Sequence, residues 1–171
     1  MLLLNSPIIG HLIQKLEGSK ENISFVRVDG DSIENLIKKD ETAVSKLSVE
    51  EKETLKPMIE AVVKEGGYTV QMEAMDSQAL PFVLTQPEFM RRMKEMQQTG
   101  GGGMMMGNMP DMYNLIVNTN HELVSQILAT KTEKKRERLI QQAVDLARLS
   151  KNLLKGEEMT QFIQRSVDLI K

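Results

Sequence analysis

Residues 113–128, YNLIVNTNHELVSQIL, hold the passage from strand to helix on which the fold turns. The first five, YNLIV, are apolar and partly β-branched, and they predict a strand. Asn120 then stands at a helix N-cap, with Val124, Ile127 and Leu128 on one face of the short helix that follows. Upstream of this point strands alternate with helices. Downstream, every segment reads as helix.

Working back, residues 80–84 (LPFVL) and 68–74 (YTVQMEA) predict two more strands, the second alternating apolar and polar. Between LPFVL and YNLIV, Thr85 and Glu88 form a Thr-x-x-Glu capping box with Pro87 in the first turn. The helix they open carries Phe89, Met90, Met93 and Met96 at helical spacing. Three strands interrupted by one helix make a small antiparallel or mixed sheet. Ahead of the sheet, Ser48 and Glu51 form a second box, and Leu55, Met58, Ile59, Val62 and Val63 line the helix behind it. Pro57 is expected to kink that helix and Gly66-Gly67 to end it.

Further back, residues 40–47 read as a polar linker. Residues 1–4 and 23–28 (ISFVRV) predict strands. A helix opened by Ser6 and Pro7 carries Ile9, Leu12, Ile13 and Leu16, and Gly18 ends it. A short helix carries Ile33, Leu36 and Ile37. This opening run looks like the tail of an α/β domain whose other strands are missing.

Downstream, a helix is expected from Thr132 to Lys155, with Leu139, Ala143, Leu146, Leu149 and Leu153 on one face and Gly156 ending it. A last helix carries Phe162, Ile163, Val167 and Ile170, with Glu157 and Glu158 at its positive end. Two long apolar faces can cover one small sheet and still leave surface over. The simplest cover for that surplus is a second copy, giving a dimeric four-helix bundle. The expected class is α+β: a three-stranded sheet covered by helices, preceded by a partial α/β segment.

The bulk properties narrow the function. With 171 residues the chain can bury a real core. A net charge of −2 argues against non-specific nucleic-acid binding. The chain has no cysteine, which removes disulfide, thiol and Cys-zinc chemistry. No run is long and apolar enough to span a membrane. The two histidines, His11 and His121, are far apart in sequence and neither has a catalytic or metal-ligating pattern around it. Gly100–Gly103 lacks the strand, the Gly-Lys-Ser/Thr end and the helix of a phosphate loop. The basic run Lys131, Lys134, Lys135, Arg136 and Arg138 is interleaved with Glu133 and Glu137, as on a solvated helix face.

Residues 87–112 hold eight of the 13 methionines, around four consecutive glycines. Methionine is flexible and polarisable, which suits surfaces that fit many shapes. Arg91, Arg92, Lys94 and Glu95 make the other face of this helix polar. An apolar patch on such an element points to an interaction site. Its rivals are a core-facing Met helix in a purely structural dimerisation module, and a small ligand-binding or enzyme domain with the Gly-Met loop as its lid. The second rival would draw on Asn118, Asn120 and His121.

The order of elements carries a resemblance. The kinked helix with Leu55-Lys56-Pro57, the strand pair, the Met helix and loop, the third strand, Asn118-Thr119-Asn120-His121 and two closing helices resemble the C-terminal part of the 90-kilodalton heat-shock chaperone family, in its bacterial form. LLLNSPIIGHLIQKLE and ISFVRVDGDSIENL are similar to the end of that family's middle domain. The family's Asn-Pro-x-His element keeps Asn118 and His121 here, with Thr119 in the proline position.

The resemblance implies a middle-domain end over 1–44 and a C-terminal dimerisation domain over 45–171, with a flexible Gly/Met loop near 97–110. It implies a cytoplasmic homodimer joined through Leu139, Ala143, Leu146, Leu149, Leu153, Phe162, Ile163, Val167 and Ile170. It implies unfolded or partly folded client proteins bound through Phe89, Met90, Met93, Met96 and, in the loop, Met104, Met105 and Met106. The family's ATPase lies in an N-terminal domain, so neither enzyme activity nor a cofactor or metal is expected here. The tetratricopeptide co-chaperones of eukaryotic members read an acidic tail that Ile170-Lys171 does not provide, so they are not expected partners.

Overall fold

A computed structural model of the chain describes residues 9–20, 23–25, 27, 43–64, 66–87, 89–93 and 112–170. They form a mixed α+β fold. In chain order the elements are α1 (Ile9–Ser19), α2 (Val49–Val62), β1 (Tyr68–Glu73), β2 (Phe82–Thr85), α3 (89–93), β3 (Tyr113–Asn118), α4 (Glu122–Ala129), α5 (Glu133–Ser150) and α6 (Gly156–Ile170). The strand expected at 1–4, the Ser6-Pro7 helix start and the helix of 33–37 lie outside the described residues.

The sheet is mixed and its order is β1-β3-β2. β3 is central, parallel to β1 and antiparallel to β2. Register sets Val70, Leu115 and Leu84 side by side, and next to them Met72, Val117 and Phe82. Side chains alternate along a strand, so these residues share one face. Leu55 and Ile59 of α2, Val124 and Ile127 of α4, and Leu139, Ile140, Ala143, Val144 and Ala147 of α5 complete the same core. α5 packs on β2 and also against α2, α4 and α6.

Local chemistry explains most boundaries. Ser48 Oγ accepts from the Glu51 N–H at 3.2 Å, and Glu51 Oε2 accepts from the Ser48 N–H at 2.8 Å, a complete capping box at the start of α2. Pro57 sits inside α2 without ending it. Gly67 turns at φ 65° before β1.

Four sequence expectations are corrected. Residues 23–25 and 27 are in no strand. The backbone of Phe25 bonds instead to the Glu17 and Arg92 side chains. Thr85 is no helix cap: it is the last residue of β2, paired in register with Asn114 and buried. The N-cap of α4 is His121 rather than Asn120. Finally, α5 stops at Ser150, not Lys155, and Gly156 begins α6 rather than ending α5. The terminator is Asn152, at φ 56°, with the Leu153 N–H returning to the Arg148 carbonyl at 2.9 Å.

Candidate interaction surfaces

α6 is strongly amphipathic, yet Phe162 is its only buried residue. Ile163, Val167, Leu169 and Ile170 are exposed, and so are Leu146 and Leu149 on α5. Large aliphatic side chains rarely cluster in water on two neighbouring helices unless something covers them. The nine positions expected at a dimer interface therefore divide. Leu139, Ala143 and Phe162 are covered by the chain itself, Leu153 is half-buried, and Leu146, Leu149, Ile163, Val167 and Ile170 face out.

Polar contacts hold α6 on α5. Asp145 is buried, at 2% exposure. Its Oδ1 accepts from Arg148 Nη1 at 3.2 Å, and its Oδ2 accepts from Arg165 and from Gln141 Nε2. Arg148 Nη2 reaches Glu158 at 2.6 Å. Burial works most strongly against the Arg148 charge, but the hydrogen bonds to Glu158 and Asp145 and the neighbouring Tyr68 and Glu158 charges together outweigh it and hold the guanidinium above its ordinary value. Sequence reading missed this network. Its signal was Gln141, Asp145 and Arg148, polar at i, i+4 and i+7 beside an apolar stripe.

In α3, Phe89 is 69% exposed, while Met90 and Met93 are half-buried. Met96, Met104, Met105 and Met106 lie outside the described residues. Arg92 ties α3 to α1 through a two-pronged contact with Glu17, Nη1 to Oε2 at 2.8 Å and Nη2 to Oε1 at 3.1 Å. Its Nη2 also reaches the Phe25 carbonyl at 2.9 Å. Arg92, together with the Phe25 N–H, holds the Glu17 carboxyl down to about 2.

Asn118, Thr119 and Asn120 are buried and committed to structure. Asn118 Oδ1 accepts from the N–H groups of Met75 and Asn120, and its Nδ2 donates to the Asp76 carbonyl at 2.8 Å. Asn120 Oδ1 accepts from the Lys46 N–H at 2.7 Å, and its Nδ2 donates to the carbonyls of Val44 and Met75. Thr119 Oγ1 donates to the Glu73 carbonyl and accepts from Ser45 Oγ. The stretch expected as a linker is thus pinned at its C-terminal end. His121 Nδ1 accepts the Leu123 N–H at 3.0 Å.

Among the described residues no group of His, Cys, Asp and Glu could hold a metal ion, and no helix is long and apolar enough to cross a membrane. A cavity of about 150 Å³ lies between Leu84, Gln86, Tyr113, Lys151 and Leu153. That is below the range of about 300–1,000 Å³ usual for small-molecule sites.

No family model matches the chain. Individual relatives do. The chaperone protein HtpG of Porphyromonas gingivalis strain ATCC 33277 is 38% identical over 136 residues, 78% of this chain and 20% of that protein. The chaperone protein HtpG of Bacteroides thetaiotaomicron is 27% identical over 237 residues, 99% of this chain and 35% of that protein. That of Bacteroides fragilis strain 638R is 26% identical with the same coverage. The chain belongs to the HtpG chaperone family.

It spans 20–35% of the length of these HtpG relatives and corresponds to their C-terminal region. The Bacteroides alignments are longer than the chain, so those HtpG proteins carry intervening residues that it lacks. Within this HtpG segment, Asn118 and Asn120 are fully engaged and His121 caps a helix. The side chains that an active-site reading would draw on therefore already have structural work.

Proposed function

We propose that this segment is the self-association module of a cytoplasmic HtpG-type chaperone, and that it presents α3 and the Met-rich stretch after it to partly folded clients. The observation that carries the reading is the outward apolar face of α5 and α6, with Leu146, Leu149, Ile163, Val167 and Ile170 exposed. A second copy is its natural cover, because the same surface on two copies is self-complementary about a two-fold axis. Four helices, α5 and α6 from each copy, then form a bundle. In the longer chaperone this joint holds two copies at high effective concentration. Nucleotide hydrolysis belongs, on this reading, to the part of the chaperone outside this segment.

Client contact rests on Phe89. It stands out from α3 while Met90 and Met93 are half-buried, so the helix both rests on the domain and offers an apolar side chain to solvent. The lid of an enzyme site finds no support, since the nearby polar residues are spent on the backbone.

The test is Val167→Asp, which places a charge in the surface a partner would cover. Light scattering is expected to show a monomer, and far-UV circular dichroism an unchanged helix content. A variant that still associates as the unaltered chain does would contradict the assignment.

A further inference from the structure

The contact between α5 and α6 is unusual in what it lacks. One apolar residue, Phe162, is buried from α6. Four polar side-chain ties join the two helices: Asp145 with Arg165, Arg148 with Glu158 at 2.6 Å, Gln142 with Ser166 at 2.6 Å and Arg138 with Asp168 at 3.4 Å. Apolar contact is non-directional, and a helix held by one aromatic ring can slide along its neighbour at little cost. A buried carboxylate cannot be left alone in the same way. Sliding α6 along α5 would strip Arg165 from Asp145 and Glu158 from Arg148, leaving the buried carboxylate only the partners on its own helix, Gln141 and Arg148.

The network is also imperfect. Among the described residues, Arg148 Nε, Arg165 Nε and Gln142 Oε1 are buried without a hydrogen-bond partner. Such a cluster adds little net stability, and fixing register is the best-attested use of buried ion pairs.

We propose that Asp145, through Arg165 and Arg148, is a positioning residue that fixes the register of α6 on α5 and so sets the surface through which two copies associate. This rests on the self-association reading. Leu146 and Leu149 come from α5, and Ile163, Val167 and Ile170 from α6. They form one complementary face only while the two helices keep their alignment. Both copies must be aligned to pair, so the aligned fraction enters the dissociation constant squared. If Asp145→Asn lowers that fraction to about a third, the constant rises about tenfold.

The test uses the full chain, which has no cysteine of its own. Spin labels on the exposed Glu137→Cys and Gln161→Cys, which leave the four ties intact, report the α5–α6 alignment, and sedimentation equilibrium reports association. Asp145→Asn is expected to broaden the label distance distribution and weaken association about tenfold. Phe162→Leu, which trims packing but keeps the charges, is expected to leave the distribution narrow. The proposal is overturned if Asp145→Asn leaves either readout unchanged, or if Phe162→Leu broadens the distribution equally. A chain that never associates at any concentration sinks the self-association reading, and this proposal with it. Association with equal affinity in Asp145→Asn sinks this proposal alone.

Discussion

Ile163→Ala provides the most quantitative test of the outward face. Ile163 is 54% exposed in the single chain. Burying an isoleucine side chain completely stabilises by about 1.5–3 kcal/mol, so covering the exposed half contributes about 1 kcal/mol. In a two-fold contact the residue counts twice, giving about 2 kcal/mol per dimer. At 1.4 kcal/mol per factor of ten, the dissociation constant rises roughly 30-fold. Leu12→Ala is the matched control: Leu12 is 52% exposed, but it lies on α1, which is no part of the proposed surface. Sedimentation equilibrium on the two variants and the unaltered chain gives the three constants, and far-UV circular dichroism checks that helix content is retained. An Ile163→Ala constant within about threefold of the unaltered chain, or equal weakening by Leu12→Ala, would remove Ile163 from the association surface.

Three further outcomes follow from the geometry. Phe89→Asp is expected to reduce suppression of client aggregation without altering molar mass, and undiminished suppression would remove α3 from the client surface. Asn118→Ala leaves the buried Met75 and Asn120 N–H groups without their acceptor, at about 1–3 kcal/mol each. A urea midpoint shift worth under about 0.5 kcal/mol would show that this network is dispensable. The Glu17 carboxyl, held to about 2 from its usual 4.5, keeps α1 joined to α3 above pH 4.5 and loses that contact as pH falls toward 2. Carbon NMR of Glu17 is expected to show that low midpoint, with Arg92→Gln returning it toward 4.5. A midpoint near 4.5 in the unaltered chain would dissolve the pairing.

Local chemistry made part of the fold legible. The Ser48–Glu51 box, β1 and β3 are where their residues predict, because the signals for them lie within a few positions of one another. What stayed hidden depends on residues far away in sequence. Thr85-Gln86-Pro87-Glu88 has the form of a capping box, yet the ladder with Asn114 takes Thr85 into β2. Asn120 is as good an N-cap residue as any, but Lys46, Val44 and Met75 claim its side chain and His121 takes the role. The parallel pairing of β1 with β3 is equally invisible, since nothing local states which strand will lie between the others.

The surfaces were legible in outline only. Apolar residues at 139, 140, 143, 144, 146, 147, 149 and 153 cover too wide an arc of α5 for periodicity to say which of them face in. Packing against the sheet assigns Leu139 and Ala143 to the core and leaves Leu146 and Leu149 outside. Asp145 broke the apolar pattern without announcing its partners, because Arg165 comes from the next helix.

Self-association is tested most directly by the molar mass of the unaltered chain, measured by sedimentation equilibrium over a wide concentration range. The outward face of α5 and α6 predicts twice the 19.3 kDa of a single chain, dissociating on dilution as one reversible step. A single-chain mass at every concentration would contradict self-association and leave α5 and α6 as a hairpin with an uncovered apolar face.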